Sequence, residues 1–384
     1  MNILFLSSWY PTKKKPNSGI FVKEHAHAIH SVGNEIIVLA LVVHHDSCLW
    51  KKEISDFIDE EGVQTVLVEV NTKFRDVIYH AFHLQYVILK RAYNKILRKS
   101  FDPDFIHSNV IFPAGVIGYF FSRYLNKKHI ITEHWTRVKY FSTQFPLSYW
   151  GKKAYRNAVK ILPVSRFLKK MIADSFDITN NNKFEIIGNI IDSDLFQYKP
   201  KQREEGVLRL CSIASWNKMK VPAKQPELLI KAISELQRNI PEKIQLTMVG
   251  GGDKIEDLKK MAADLHVNTV FTGFLEKKEI AKILQASDYF VHPTLIETFG
   301  VVIVEALLTG TPVICSNVAA LPELISKENG ILCENTVEDW TKALERACQA
   351  PFDGKAISDS IKHKFDQETI GKAITKVYDD LKSL

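Results

Sequence analysis

Strand-length apolar runs alternate with amphipathic segments along the whole chain, and this alternation restricts the fold more than any single motif. In the first half the apolar or β-branched runs are Ile3–Leu6, Ile36–Val43, Thr65–Val70, Phe105–His107, His129–Thr132, Ile161–Val164 and Phe184–Ile187. In the second they are Leu208–Ala214, Ile244–Val249, Thr269–Thr272, Asp288–His292, Pro312–Cys315 and Ile331–Cys333. Continuous runs of this length predict strands covered on both faces. Between them Ile20–His30, Asp76–Lys99, Val116–Leu125, Glu227–Gln237, Lys254–Leu265 and Val301–Leu308 repeat apolar residues at helical spacing. Strand, helix, strand in sequence predicts parallel sheets with right-handed crossovers. The pattern occurs twice, and 384 residues is a two-domain length. The reading is an α/β chain of two Rossmann-like, doubly wound parallel-sheet domains, their polar strand ends facing a central cleft. The first domain is placed at 1–191 and the second at 207–365. The polar stretch 192–206, with Pro200 and a KQREE run, reads as a linker, and 366–384 as an amphipathic helix.

Composition removes several classes. Hydrophobic content of 46% and charged content of 25% are ordinary globular values. The longest apolar run, Val110–Phe121, is short of the ~20 residues of a membrane span and is broken by Pro113, Gly115 and Gly118. The opening MNILFLSSWYP lacks a basic leader and has too short an apolar core for a signal peptide, so the expected location is the cytoplasm. Cys48, Cys211, Cys315, Cys333 and Cys348 show no CxxC spacing, which predicts reduced thiols and no structural zinc. Charge is uneven: residues 1–195 hold 26 Lys+Arg against 18 Asp+Glu, and residues 196–384 hold 25 against 26. The excess is carried by pairs such as Lys127–Lys128, Lys152–Lys153 and Lys169–Lys170, with Tyr140, Phe141, Phe145, Tyr149 and Trp150 nearby. A basic, aromatic face of this kind fits either an anionic membrane surface or plain solvent. Nucleic acid is not expected, because no binding-motif signature accompanies the basic residues.

In open α/β sheets ligands bind beyond the carboxyl ends of the strands. Here Ser7, Ser8, His107, His134, Ser165, Ser215, Gly250–Gly252 and His292 fall at such ends. The most informative stretch is Asp288–Ser316, which reads strand, loop, helix, turn, strand. Its helix starts near Phe299–Gly300, where unpaired amides make a half-positive anion site that a glycine lets a phosphate approach. Glu297 lies just before that end. Glu305 lies inside an otherwise apolar helix, where a carboxylate needs a partner. Ribose hydroxyls and a lysine on the helix flank both satisfy that need. His292, before Pro293, reads as structural.

Glu297 and Glu305 stand in the setting P-T-x-x-E-T-F-G-x-x-x-x-E-A-x-x-x-G-x-P-V-I-x-S. This resembles the E-x7-E signature of retaining glycosyltransferases of family 4, which have the two-domain GT-B fold. Further segments are similar in order: PNSGIF at Pro16–Phe21 resembles the family's glycine loop, with Gly19 as its glycine. Phe105–Gly115 and Thr132–His134 resemble its histidine regions, Val164–Ser165 its V-S pair, Gly188–Asp192 its P-N-G-V-D turn, and Met248–Gly252 and Thr272–Leu275 its next two strand ends.

The resemblance implies a nucleotide-sugar donor (UDP- or GDP-linked) and a glycan or lipid-linked acceptor. No cofactor is expected, and no metal, since no DxD-type motif sits at a strand end in a suitable place. Glu305 is then expected on the donor's ribose, Glu297 on its sugar, and the amides of Phe299, Gly300 and Val301 on its diphosphate. Lys224 is expected to neutralise the diphosphate and His134 to sit near the sugar. The family's second cation, an arginine, is replaced at Lys218 or Lys220, and Glu276 or the Leu275 backbone faces the base. The terminal helix crosses back to the first domain. The implied function is retaining sugar transfer in polysaccharide assembly. A nucleotide-sugar epimerase or a phosphorylase on the same fold is the alternative, and a nucleic-acid-binding protein a remote one. A dinucleotide oxidoreductase is disfavoured, because SSWYPTKK rather than G-x-G-x-x-G follows the first strand.

Overall fold

A computed structural model of the chain describes residues 1–201, 204–218, 223–349 and 352–383. The chain divides into two compact units, Met1–Ile190 with Gln367–Leu384, and Ile191–Asp366.

The first unit is built on seven strands: β1 (Asn2–Ser7), β2 (Glu35–His45), β3 (Lys51–Ile58), β4 (Gln64–Thr72), β5 (Phe105–Asn109), β6 (Lys128–Glu133) and β7 (Lys160–Pro163). They lie in the order β3-β4-β2-β1-β5-β6-β7. All neighbours pair in parallel except β3, which runs antiparallel to β4. Ile3, Leu4, Phe5 and Leu6 on the central strand are fully buried, as an apolar run covered by helices on both faces must be. Three points differ from the sequence reading. No apolar run marks β3, because all eight of its residues are exposed. Phe184–Ile187 does not form a strand and keeps a single bridge, Ile161 to Phe184. The helical pattern at Asp76–Lys99 is two helices, Arg75–His80 and Phe82–Ile96, broken at Ala81.

The second unit holds β8 (Val207–Ile213), β9 (Lys243–Val249), β10 (Thr269–Gly273), β11 (Tyr289–His292), β12 (Val313–Ser316) and β13 (Gly330–Cys333), in the order β10-β9-β8-β11-β12-β13. Every pair is parallel. The first part of the segment read as a linker packs within this unit. Phe196 is buried, and the Gln285 side chain donates to the Gln197 carbonyl at 2.8 Å. Burying one phenylalanine stabilises by roughly 1.5–3 kcal/mol, enough to hold a short segment down.

The helix Gln367–Lys382 belongs to the first unit. Its Tyr378 is fully buried, stacks on Phe105 at 5.4 Å and brings its hydroxyl to 2.5 Å from His107 Nδ1. The other ring nitrogen of His107 is 2.7 Å from Thr132 Oγ1. His107 thus fastens the last helix to the first sheet. Tyr378→Phe keeps the ring and removes the hydroxyl, leaving a buried imidazole nitrogen unpaired. The expected loss is about 1–3 kcal/mol in urea unfolding, with an unchanged far-ultraviolet spectrum.

Candidate active site

The order of the second sheet reverses between β8 and β11, which opens a crevice outside the carboxyl ends of those strands. Both loops at this point carry expected site residues. Lys224 leaves β8's connection just before the helix Pro226–Leu236, which starts with the proline favoured at a first helical position. The Lys224 segment is stitched to the loop after β11: Leu295 N–H donates to the Ala223 carbonyl at 2.7 Å and Gln225 N–H to Pro293 at 3.0 Å. The Thr294 hydroxyl donates to Ala223 and Ile296 carbonyls, at 3.1 and 3.0 Å.

This stitching sets Lys224 Nζ 2.8 Å from Glu297 Oε2 and 2.9 Å from His292 Nε2. Glu297 Oε1 accepts the Thr298 amide at 3.1 Å. Burial pushes the Glu297 carboxyl up, but the neighbouring His292 and Lys224 more than offset this and hold it well below the usual carboxylate range. Geometry assigns the larger part to Lys224. An ammonium only donates, so His292 Nε2 must accept from it. That nitrogen then has no proton to offer Glu297 Oε2, 3.8 Å away. His292 is itself pushed down to about 4, first by burial and then by the lysine charge. The cluster is a neutral imidazole, an ammonium and a carboxylate. His292 reads as merely structural in the sequence. Its position as the last residue of β11, on the same strand end as Glu297, is the signal that marks it.

Gly300 follows in left-handed backbone, φ 95°, and caps the helix Val301–Leu308. A turn of this kind leaves the amides of Gly300, Val301 and Val302 without intrahelical acceptors. Phe299 is buried, its ring edge-on to Phe365 at 5.0 Å. The next turn buries Glu305 to 6% exposure, within the helix Val301–Leu308.

Lys218 lies elsewhere in the unit. The Trp216 amide donates to the Gly251 carbonyl at 2.9 Å, which lays this segment along the glycine loop after β9. There the Lys218 ammonium meets Asp257 at 2.7 Å and its amide meets Asp253 at 2.5 Å. Its charge is matched by Asp257 and is not placed on the Lys224–Glu297 pair. Lys220 lies outside the described residues. Leu275 is half-buried, and Glu276 caps the helix Lys277–Ala286 in a reciprocal bond with Glu279. A capping carboxylate is committed to its helix.

Gly19 and His134 belong to the first unit. Gly19 has φ 74° and caps the helix Ile20–Ser31; a Cβ there would stand 2.3 Å from the Trp9 carbonyl oxygen. His134 is buried, with Nδ1 2.7 Å from Asn189 Oδ1 and Nε2 3.0 Å from Asn109 Oδ1. Burial, with neighbouring His25, pushes it well below the usual imidazole range. A neutral ring donates once, so one of the two amides must present its NH2, and the otherwise unpartnered Asn109 Nδ2 is the group to do so.

Two family models match the chain: glycosyltransferase family 4 over residues 19–195, and glycosyl transferases group 1 over residues 218–364. An uncharacterised glycosyltransferase of Methanocaldococcus jannaschii is 24% identical over 322 residues, 80% of this chain and 86% of its own. A GDP-mannose-dependent alpha-(1-6)-phosphatidylinositol monomannoside mannosyltransferase of Mycolicibacterium smegmatis is 26% identical over 256 residues, covering 55% of this chain and 67% of its own. Among solved structures, sucrose-phosphate synthase of Thermosynechococcus elongatus superposes over the full length of both chains with a TM-score of 0.74 at 16% identity. The Anabaena protein HepE, solved with UDP and glucose, does so with a TM-score of 0.70 at 16% identity. The chain belongs to glycosyltransferase family 4 and has the GT-B fold.

Proposed function

We propose that this glycosyltransferase moves a sugar from a UDP- or GDP-sugar to a hydroxyl of a glycan or lipid-linked acceptor, with retention at the anomeric carbon and without a metal, in polysaccharide assembly. The observation that carries the reading is the Lys224 ammonium held 2.8 Å from Glu297, in the loop that leads into the Val301–Leu308 helix. In the reaction the anomeric C–O bond to the diphosphate breaks and an acceptor oxygen bonds to the same face. The acceptor proton passes to a departing phosphate oxygen. Lys224 and the helix-start amides stabilise the charge that grows on the diphosphate. Glu297 is bound by Lys224 and the Thr298 amide, which favours a positioning role over nucleophilic attack. Glu305 grips the ribose.

Glu305→Ala is expected to raise KM for the nucleotide sugar about 10-fold or more, as loss of a charged hydrogen-bond acceptor does. Product analysis by NMR is expected to show a retained anomer, and EDTA to leave the rate unchanged. An inverted anomer, or a rate abolished by EDTA and restored by a divalent ion, contradicts the corresponding part of the proposal.

The same reading puts the first unit on an anionic membrane surface. Phe145 is 84% exposed, beside exposed Tyr140 and Tyr149, and Lys153 reaches over the Tyr149 ring at 4.6 Å. No described helix is long and apolar enough to cross a membrane. Sedimentation with vesicles is expected to rise with their anionic lipid content and fall with salt. Sedimentation indifferent to anionic lipid assigns this face to solvent.

A further inference from the structure

The first sheet reverses its order between β1 and β5, and outside the carboxyl ends of these strands lies a second cavity, of about 390 Å³. That is within the usual size range of small-molecule pockets. Its walls have two chemistries. Trp9, Tyr79 and Trp135 supply aromatic surface, and the two indoles meet edge to face with centroids 4.8 Å apart. Lys15, Arg75 and Arg137 supply positive charge. Arg75 is matched by adjacent Asp76, which also lines the cavity, at 2.8 and 3.0 Å. Among the described residues no carboxylate pairs with Arg137 or Lys15.

The walls are held in place from behind. Glu133 is fully buried and accepts four hydrogen bonds. Its Oε1 takes the amides of His134 and Trp135, at 3.0 and 2.9 Å. Its Oε2 takes the Ile111 amide and the Tyr155 hydroxyl, both at 2.8 Å. One carboxylate thereby fixes the loop that brings Pro113 to the cavity and the loop that brings Trp135 and Arg137. On the opposite wall Trp9 is pinned through its amide and carbonyl to Ser7 Oγ, at 3.0 and 2.7 Å. Val110, a β-branched residue at φ 67°, sits at the root of the first loop. Such a conformation persists only where its surroundings enforce it.

We propose that this cavity binds a saccharide carrying a phosphate or carboxylate, its ring against the indoles of Trp9 and Trp135 and its anion on Arg137 and Lys15. Apolar faces of a sugar ring suit indole, and the planar guanidinium suits an oxyanion. The proposal rests on the transferase reading only in making this ligand the acceptor. Two sources share the chemistry, a soluble sugar phosphate and a phosphate-linked sugar on a lipid.

The test is a tryptophan-fluorescence titration of the full chain with a hexose 1-phosphate, the neutral hexose, inorganic phosphate and a polyprenyl-phosphate-linked hexose in micelles, repeated in Arg137→Gln. The hexose phosphate is expected to bind about 10-fold or more tighter than the neutral hexose or phosphate alone. Arg137→Gln is expected to weaken it roughly 10- to 100-fold, with melting temperature and UDP or GDP binding unchanged. Tighter binding of the lipid-linked sugar supports the proposal with a lipid-borne acceptor, and equal binding supports it with a soluble one. Equal binding of the hexose and its phosphate, or an Arg137→Gln variant as strong as the parent, overturns it. Failure of UDP and GDP to bind while the hexose phosphate does overturns the donor-site reading and leaves this one standing.

Discussion

Lys224→Ala is expected to lower kcat/KM for the nucleotide sugar about 10²- to 10³-fold, the effect of removing one donor to a developing oxyanion. Two losses combine. The diphosphate loses its nearest cation, and Glu297 loses the ammonium 2.8 Å away that holds it ionised while buried. The Glu297 carboxyl then titrates nearer its ordinary range, and the variant's residual activity gains an acidic limb that the parent lacks. Lys224→Arg restores charge but not the point contact with His292, so recovery is expected to be partial. A Lys224→Ala enzyme with parental kcat/KM and an unaltered pH profile contradicts the assignment.

Acid is expected to destabilise the first unit before the second. His25 is pushed down to about 4 and His129 to about 3, both by burial, and buried His107 and His134 are held below their usual range in the same way. Once pH falls below 6.5 the unfolded chain takes up protons on these rings and the folded chain does not. Stability is therefore complete above that pH and declines as pH falls toward the folded values. Each ring contributes up to about 1.4 kcal/mol per pH unit, and four act together. Glu133, pushed up by burial, works in the opposite sense as one group against four. The second unit has His292 alone among its lowered histidines. Urea unfolding from pH 7 to 5 is expected to lose several kcal/mol in the first unit, and His129→Gln to flatten the slope. A midpoint constant across that range contradicts this reading.

Buried features were the legible ones. Twelve of the thirteen described strands coincide with apolar or β-branched runs, most of them because a strand covered on both faces must be apolar throughout. The missing one, β3, is exposed along its whole length and held by its ladder to β4, which leaves no hydrophobic pattern to read. The helix Val301–Leu308 and the placement of Glu297 before it follow from Gly300 and an unbroken VVIVEALL run. Ion-pair choice was not legible in the same way. Lys218 is drawn to Asp257, and Lys224 to Glu297 and His292, through loops whose course depends on contacts far apart in sequence.

The most direct measurement is a crystal structure with UDP or GDP bound. The account predicts the ribose hydroxyls on the Glu305 carboxylate and the diphosphate between Lys224 and the amides at Gly300. A nucleotide bound elsewhere, or a bound nucleotide that leaves both Glu305 and Lys224 untouched, contradicts it.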